Sequence, residues 1–290
     1  MYLAPLVAGF FFAVATLLLK RAMSLGMSPW RMIFFSNLAL IAVAGALFPG
    51  FKTPLEGAVW YQPILAGTVF FIGQIFSFLA VSRGDVSIAT PIFGSKVIFV
   101  GLFTVLMIGE SITWMLWAAA ILTALSLALM AGGTPSSGRH NLIFTVVMSL
   151  LAAISYGSAD VMTQKWGPLW TARSFLFYEM AICALLSFGL IPFFGQTHKV
   201  DRKGWSWLIW GSIVNALQGC LLYVAIGMYG RATEFNVLYN TRALWAIVLI
   251  WALGRWIGNH EFHAGREVVI RRVVGALLIL AAVFLVGLHH

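Results

Sequence analysis

The 290-residue sequence predicts an all-α integral membrane protein of ten transmembrane helices arranged as two inverted five-helix repeats. Three observations carry that expectation. The composition is 61% hydrophobic and only 9% charged, with a mean hydropathy of +0.94, where a soluble domain carries about 25% charged residues. The apolar residues fall into ten long runs separated by Gly, Pro, Ser or charge, and each run is long enough for a helix that satisfies its own backbone in lipid. Finally, a cation-bearing stretch in the first half recurs in the second.

Leu3–Leu19, the first run, ends at Lys20-Arg21 and lacks a basic leader, so it reads as a span and not as a cleaved signal. Met32–Phe48 closes at Pro49-Gly50, and Trp60–Val81 closes at Arg83-Gly84. Val86–Gly109 is apolar throughout except for Lys96 near its centre, and Thr113–Met130 leads into the small and polar stretch GGTPSSGRH. Then come Leu142–Gln164, Ala172–Phe194, Trp205–Met228, Ala232–Leu253, with Arg242 in its middle, and Val268–Leu288. The predicted organisation is a first repeat over residues 1–131, a linker over 132–140 and a second repeat over 141–290. Five spans is an odd number, so the second repeat enters the membrane from the opposite side and the relating axis lies in the membrane plane.

The duplication is clearest around the two central cations, 146 positions apart. Gly84 to Lys96 reads GDVSIATPIFGSK, and Gly230 to Arg242 reads GRATEFNVLYNTR, so Ser95-Lys96 matches Thr241-Arg242. Gln74 in the third span pairs with Gln218 in the eighth. RMIFFSN (Arg31–Asn37) pairs with RSFLFYE (Arg173–Glu179), which places Arg31 and Arg173 at opposite membrane edges. The first and sixth spans, AVATLLLK against SYGSADVMTQK, match more weakly.

A cation at mid-depth costs roughly 2.5–3.5 kcal/mol on insertion scales, so Lys96 and Arg242 are expected to face a cavity or a partner. Asn37, Glu179, Gln74 and Gln218 converge with them, since polar groups in hydrocarbon need partners. The expected substrate-binding residues are Lys96, Arg242, Asn240, Tyr239, Tyr178, Glu179, Asn37, Gln74, Gln218 and Ser95. Two cations close together call for an anion between them, Arg as a planar fork and Lys as a point charge. The competing arrangement pairs Glu179 with Arg242 and leaves one net positive charge. Glu179 is also the candidate coupling-proton site, because burial disfavours a carboxylate's charged form. Tyr156, Tyr178 and Tyr239 offer hydroxyls and flat walls, although in a chain with 12 Trp and 23 Phe packing or an interfacial belt is the better account of any one of them taken singly. For Lys96 itself, a structural pair inside the bundle is the plain alternative to a ligand-facing role.

From these residues the sequence resembles the drug/metabolite transporter superfamily, of the EamA type. The resemblance is carried by RGDVSIATPIFGSKVIFVGLFTVLMIGESIT and by its counterpart YGRATEFNVLYNTRALWAIVLIWALG. It includes the Gly109-Glu110 helix exit, with Glu261 as a looser second copy. It covers the chain in length, span number and duplication. Within that superfamily, phosphate-sugar and nucleotide-sugar carriers are similar in placing basic residues in the fourth and ninth helices and a tyrosine motif in the seventh. Lys96, Arg242 and Phe177-Tyr178 fall at those places, Asn240 lies two residues before the cation, and Glu179 departs from the usual amide. The resemblance implies a secondary transporter with an anionic, phosphate- or carboxylate-bearing substrate.

Other functions are less well supplied. His260-Glu261-Phe262-His263 has metal-like spacing but no third ligand, so no metal is expected, and no cofactor either. The net charge of +9 reflects loop orientation and bilayer contact, not nucleic acid. Cys183 and Cys220 read as small core residues. A membrane-embedded enzyme or lipid-modifying accessory subunit would need converging interfacial acids or histidines, and an exporter of amino acids or of cationic, amphipathic compounds would use the cavity differently. The expected partners are a small-molecule substrate, the lipid bilayer and a coupling proton or counter-substrate, with the chain a monomer or homodimer in a bacterial inner membrane. Lys and Arg gather in the connections after odd-numbered spans, which puts both termini outside by the positive-inside rule, whereas the resemblance implies cytoplasmic termini.

Overall fold

The computed structural model describes residues 1–47, 54–82, 89, 92–131, 142–195, 202–257 and 266–288. The expected linker 132–140, Pro91, Arg83 and the segment around His260, Glu261 and His263 lie outside the described residues. Within them, every regular element is a helix. The helices are α1 (Leu3–Ser24), α2 (Pro29–Leu47), α3 (Tyr61–Ser82), α4 (Lys96–Phe103), α5 (Trp114–Ala131), α6 (Leu142–Trp170), α7 (Ala172–Ser187), α8 (Arg202–Tyr229), α9 (Ala232–Tyr239), α10 (Arg242–Ile257) and α11 (Arg266–Leu288). A π-helical turn, Thr104–Ile108, extends α4, and a 3-10 turn, Phe188–Phe193, extends α7.

Six of these are long and apolar enough to cross a membrane, and Ile92–Ile108, Trp114–Met130 and Val273–Leu288 are shorter apolar helices. With α9 and α10 joined as one broken span, they make the ten expected crossings. The chain is therefore an all-α, multi-pass integral membrane protein. Several spans run beyond their expected limits because polar residues at their ends find partners: α6 continues past Gln164 to Trp170, whose indole Nε1 donates to Gln62 Oε1 at 2.8 Å.

The packing is paired between halves. α1 lies along α8 as α3 lies along α6, α2 packs on α8 as α3 packs on α7, and α5 packs on α11 across the centre. Small residues allow this, as expected where dispersion and hydrogen bonds, not the hydrophobic effect, hold helices together. Gly167 of α6 meets Gly227 of α8 with a built Cβ only 3.1 Å from the facing Cα.

The fourth and ninth spans break at the same register. Ser95 Oγ donates to Ile92 O at 2.6 Å, and Thr241 Oγ1 donates to Leu238 O at 2.7 Å. The backbone tightens alongside, with Ser95 N bonding Ile92 O and Thr241 N bonding Leu238 O, each three residues back. Each hydroxyl captures the carbonyl that a regular helix would give to the next turn. Lys96 and Arg242 are thus the first residues after each break. A glycine of the neighbouring span sits against each one. A Cβ on Gly9 of α1 would fall 3.0 Å from Tyr239 O and 3.2 Å from Arg242 N, and one on Gly157 of α6 would fall 3.1 Å from Phe99 Cβ and 3.4 Å from Lys96 O.

That close approach generates a prediction. Gly9→Ala pushes a methyl onto rigid backbone, and overpacking of this kind costs about 1–3 kcal/mol. Thermal unfolding in detergent should show Gly9→Ala clearly below wild type, while Gly287→Ala, with nothing within 4 Å of its built Cβ, stays level with it. Equal stability of the two variants would contradict the close packing at the break.

Candidate functional site at the two helix breaks

Lys96 and Arg242 line one cavity of about 270 Å³. Gln74 and Ser77 from α3, Tyr156 from α6, Gln218 and Tyr223 from α8 and Tyr239 from α9 share its wall, with Phe12, Phe70 and Phe93 as apolar surface. The sequence-expected residues brought together are therefore Lys96, Arg242, Gln74, Gln218 and Tyr239.

The two cations are satisfied in different ways. Lys96 Nζ lies 2.7 Å from Asp160 Oδ2, with the carboxylate fully buried. Asp160 also accepts from Asn236 Nδ2 at 2.6 Å on Oδ2 and from the Tyr223 hydroxyl at 3.1 Å on Oδ1. Four spans, the fourth, sixth, eighth and ninth, thus meet on one carboxylate. Asn236 also donates to Ala232 O at 2.9 Å. Arg242, by contrast, makes no ion pair among the described residues. Its guanidinium carbon lies 4.5 Å from the Phe12 ring centroid and 4.6 Å from that of Tyr239, and the two rings stand edge to face at 5.7 Å. Ring faces hold a cation by their quadrupole while leaving the planar N–H fork free for an oxyanion.

Other polar groups hold the wall. Asn37 of α2 and Gln74 exchange amide hydrogen bonds in both directions at 2.8 Å, and Asn37 Nδ2 reaches Ser187 Oγ at 2.7 Å. Asn37 therefore positions Gln74 from behind without lining the cavity. The Tyr239 hydroxyl donates to Gln218 Oε1 at 2.9 Å. Ser95 serves the helix break. Asn240 is buried as the cap residue of α9.

Two expected residues lie elsewhere. Tyr178 sits in an aromatic group with Trp60 and Trp170, with ring centroids at 4.9 and 5.5 Å. Glu179 is buried where α3, α6 and α7 meet. It accepts from Thr163 Oγ1 at 3.1 Å, and its Oε1 has no hydrogen-bond partner. It does not pair with Arg242, because Asp160 is the carboxylate the fold delivers to the cation site. A second cavity, of about 290 Å³, is lined by Glu110, Gln164, Arg231, Thr233 and Glu234 among others. There Gln164 Nε2 donates to Glu110 Oε2 at 3.2 Å and its Oε1 accepts from Ala232 N at 2.9 Å, tying the fourth span's exit to the start of α9.

Sequence reading missed Asp160, Asn236, Tyr223 and Phe12 as site residues. The signal for Asp160 was present, an acid inside an otherwise apolar span, but it has no charged counterpart in the first span.

The reciprocal amide pair supplies a test. Interhelical hydrogen bonds in membranes average about 0.6 kcal/mol and reach about 1.7 kcal/mol. A double-mutant cycle of Asn37→Ala and Gln74→Ala, with unfolding in detergent as the readout, should give a coupling energy toward the upper end of that range. Strictly additive losses would show that the two amides act independently.

Comparison with known proteins agrees with this architecture. A solved crystal structure superposes on the whole chain with a TM-score of 0.76, covering 98% of that structure at 14% identity, which is a likeness of fold. The S-adenosylmethionine uptake transporter of Rickettsia bellii (strain RML369-C) is 26% identical over 154 residues, 53% of this chain and 50% of that protein. That of Rickettsia prowazekii (strain Madrid E) is 23% identical over the same extent. The chain thus spans about half the length of the curated relatives it matches. Residues 1–132 match the profile of the EamA-like transporter family, one of the drug/metabolite transporter superfamily.

Proposed function

We propose that the chain is a secondary transporter of a bacterial inner membrane that moves a small metabolite bearing a carboxylate or phosphate group. It exposes the central cavity alternately to the two sides as one repeat rocks against the other. The observation that carries this reading is Arg242, a cation at a helix break, facing the cavity between two rings and without an ion pair among the described residues. With Lys96 neutralised by Asp160, the wall keeps one net positive charge. An oxyanion supplies the missing partner, and the aromatic surfaces of Phe12, Phe70 and Tyr156 suit a flat ring on the same molecule. S-adenosylmethionine, the substrate in the names of the relatives, combines a carboxylate and an adenine ring with an ammonium and a sulfonium, so it probes both this reading and the next.

A second reading, export of amino acids or cationic compounds, draws support from Asp160, an acid one residue behind the wall. The two readings respond oppositely to loss of Arg242. A charge-assisted hydrogen bond contributes about 1.5–3 kcal/mol, so Arg242→Gln should weaken binding of an anionic ligand by roughly ten- to hundredfold. Arg242→Lys should recover little of it, because an ammonium lacks the bidentate fork. Thermal-shift titrations and proteoliposome uptake separate the cases, with benzoate and inorganic phosphate as anions, S-adenosylmethionine and phenylalanine as carboxylates that also carry positive charge, and choline as a cation without an anionic group. Unchanged affinity of Arg242→Gln for every anion, or improved uptake of choline alone, would overturn the carboxylate-or-phosphate reading.

A further inference from the structure

Resting on that reading, we infer that Asp160 is the proton-binding site of the transport cycle, taking up one proton when Lys96 leaves it for the substrate's anionic group. The inference starts from a shared side chain. Lys96 lines the cavity and also pairs with Asp160, which the cavity does not reach. An anion that binds between Lys96 and Arg242 therefore competes with Asp160 for the same ammonium.

Charge balance links that competition to a proton. Before binding, the site holds Lys96, Arg242 and the Asp160 carboxylate, one net positive charge. If a monoanion drew Lys96 away and nothing else changed, Asp160 would be left as an uncompensated buried charge, which is the costly outcome. If one proton from water binds the Asp160 carboxylate, forming an O–H bond, the carboxyl becomes neutral. The site with anion and proton then keeps the same net charge as the empty one. Anion and proton enter as a pair.

The hydrogen bonds around Asp160 fit both states. Asn236 Nδ2 donates to Oδ2 whether or not the acid is ionised. The Tyr223 hydroxyl donates to Oδ1 in the ion pair and turns to accept from a protonated Oδ1, since a phenol is donor and acceptor at once. Tyr223 also lines the cavity, so one hydroxyl connects the buried acid with the space that holds water and substrate. The other ionisable groups in electrostatic reach are Glu179 of α7 and Tyr239 of α9, with Arg242 of α10 acting on Lys96. Glu179 neither lines the cavity nor makes an ion pair with either cation among the described residues, so it bears on the exchange only through its charge interaction with Asp160. This moves the coupling role expected of Glu179 to Asp160.

The sign of the pH dependence is fixed by this exchange. A higher proton concentration frees Lys96, so anion affinity falls as pH rises, by up to tenfold per pH unit for one coupled proton. The test uses purified wild-type protein in weakly buffered detergent with three monoanions, benzoate, phenylacetate and lactate, as probes. A pH-sensitive dye should report about one proton taken up per probe bound, and the Kd should rise with pH. In Asp160→Asn the Kd should be low and flat across pH, and in Tyr223→Phe the pH dependence should persist with slower proton uptake. Binding without proton uptake in wild type, or an unchanged pH slope in a folded Asp160→Asn, would overturn the assignment while leaving the transporter reading intact. Failure of all three probes to bind would instead overturn the substrate reading on which it rests.

Discussion

The constraint on which the structure depends is that a cation in the middle of a bilayer must be given a partner. Two helices deliver one cation each, and each delivers it at a break, directly after a hydroxyl residue that captures a carbonyl three residues back. Breaking the helix frees backbone groups that lipid could not satisfy. The breaks therefore have to be wrapped by other spans, and Gly9 and Gly157 let α1 and α6 approach closely enough to do so. The interior cavity is the space left between the wrapped breaks. Fold and site arise from the same requirement.

The two halves meet that requirement unequally. On the first-repeat side, Lys96 is neutralised by Asp160, which Tyr223 and Asn236 hold in turn. On the second-repeat side, Arg242 lies against the rings of Phe12 and Tyr239 and makes no ion pair among the described residues. A strictly symmetric site would hold two neutral pairs or two bare cations. The departure from symmetry leaves one positive charge facing the cavity.

Much of this is legible in the sequence. The ten spans, the offset that matches Ser95-Lys96 with Thr241-Arg242 and the meeting of Gln74 and Gln218 with the cations all come from run length and duplication. What stays hidden is the partnering. Duplication favours residues with a counterpart, and Asp160 lies in a sixth span whose match to the first is weak, so the pattern points past it to Glu179. Glu179 falls on the face of α7 toward Thr163, and Tyr178, its neighbour, turns to Trp60 and Trp170. A helix period tells which residues share a face, but not which neighbouring helix that face meets. Asn37 illustrates the same limit: it converges on the centre as expected, yet its amide is spent on Gln74.

The central claim is that both breaks open onto one water-accessible cavity with a net positive charge. It is tested most directly by thiol labelling in a background where Cys183 and Cys220 are replaced by alanine. Gln74→Cys and Gln218→Cys, one from each repeat, should both react with a small anionic methanethiosulfonate, and faster than with a cationic reagent of the same size. Ala159→Cys, fully buried, should stay unmodified. If one of the two wall positions is unreactive, or the cationic reagent is the faster at both, the shared positive cavity does not exist.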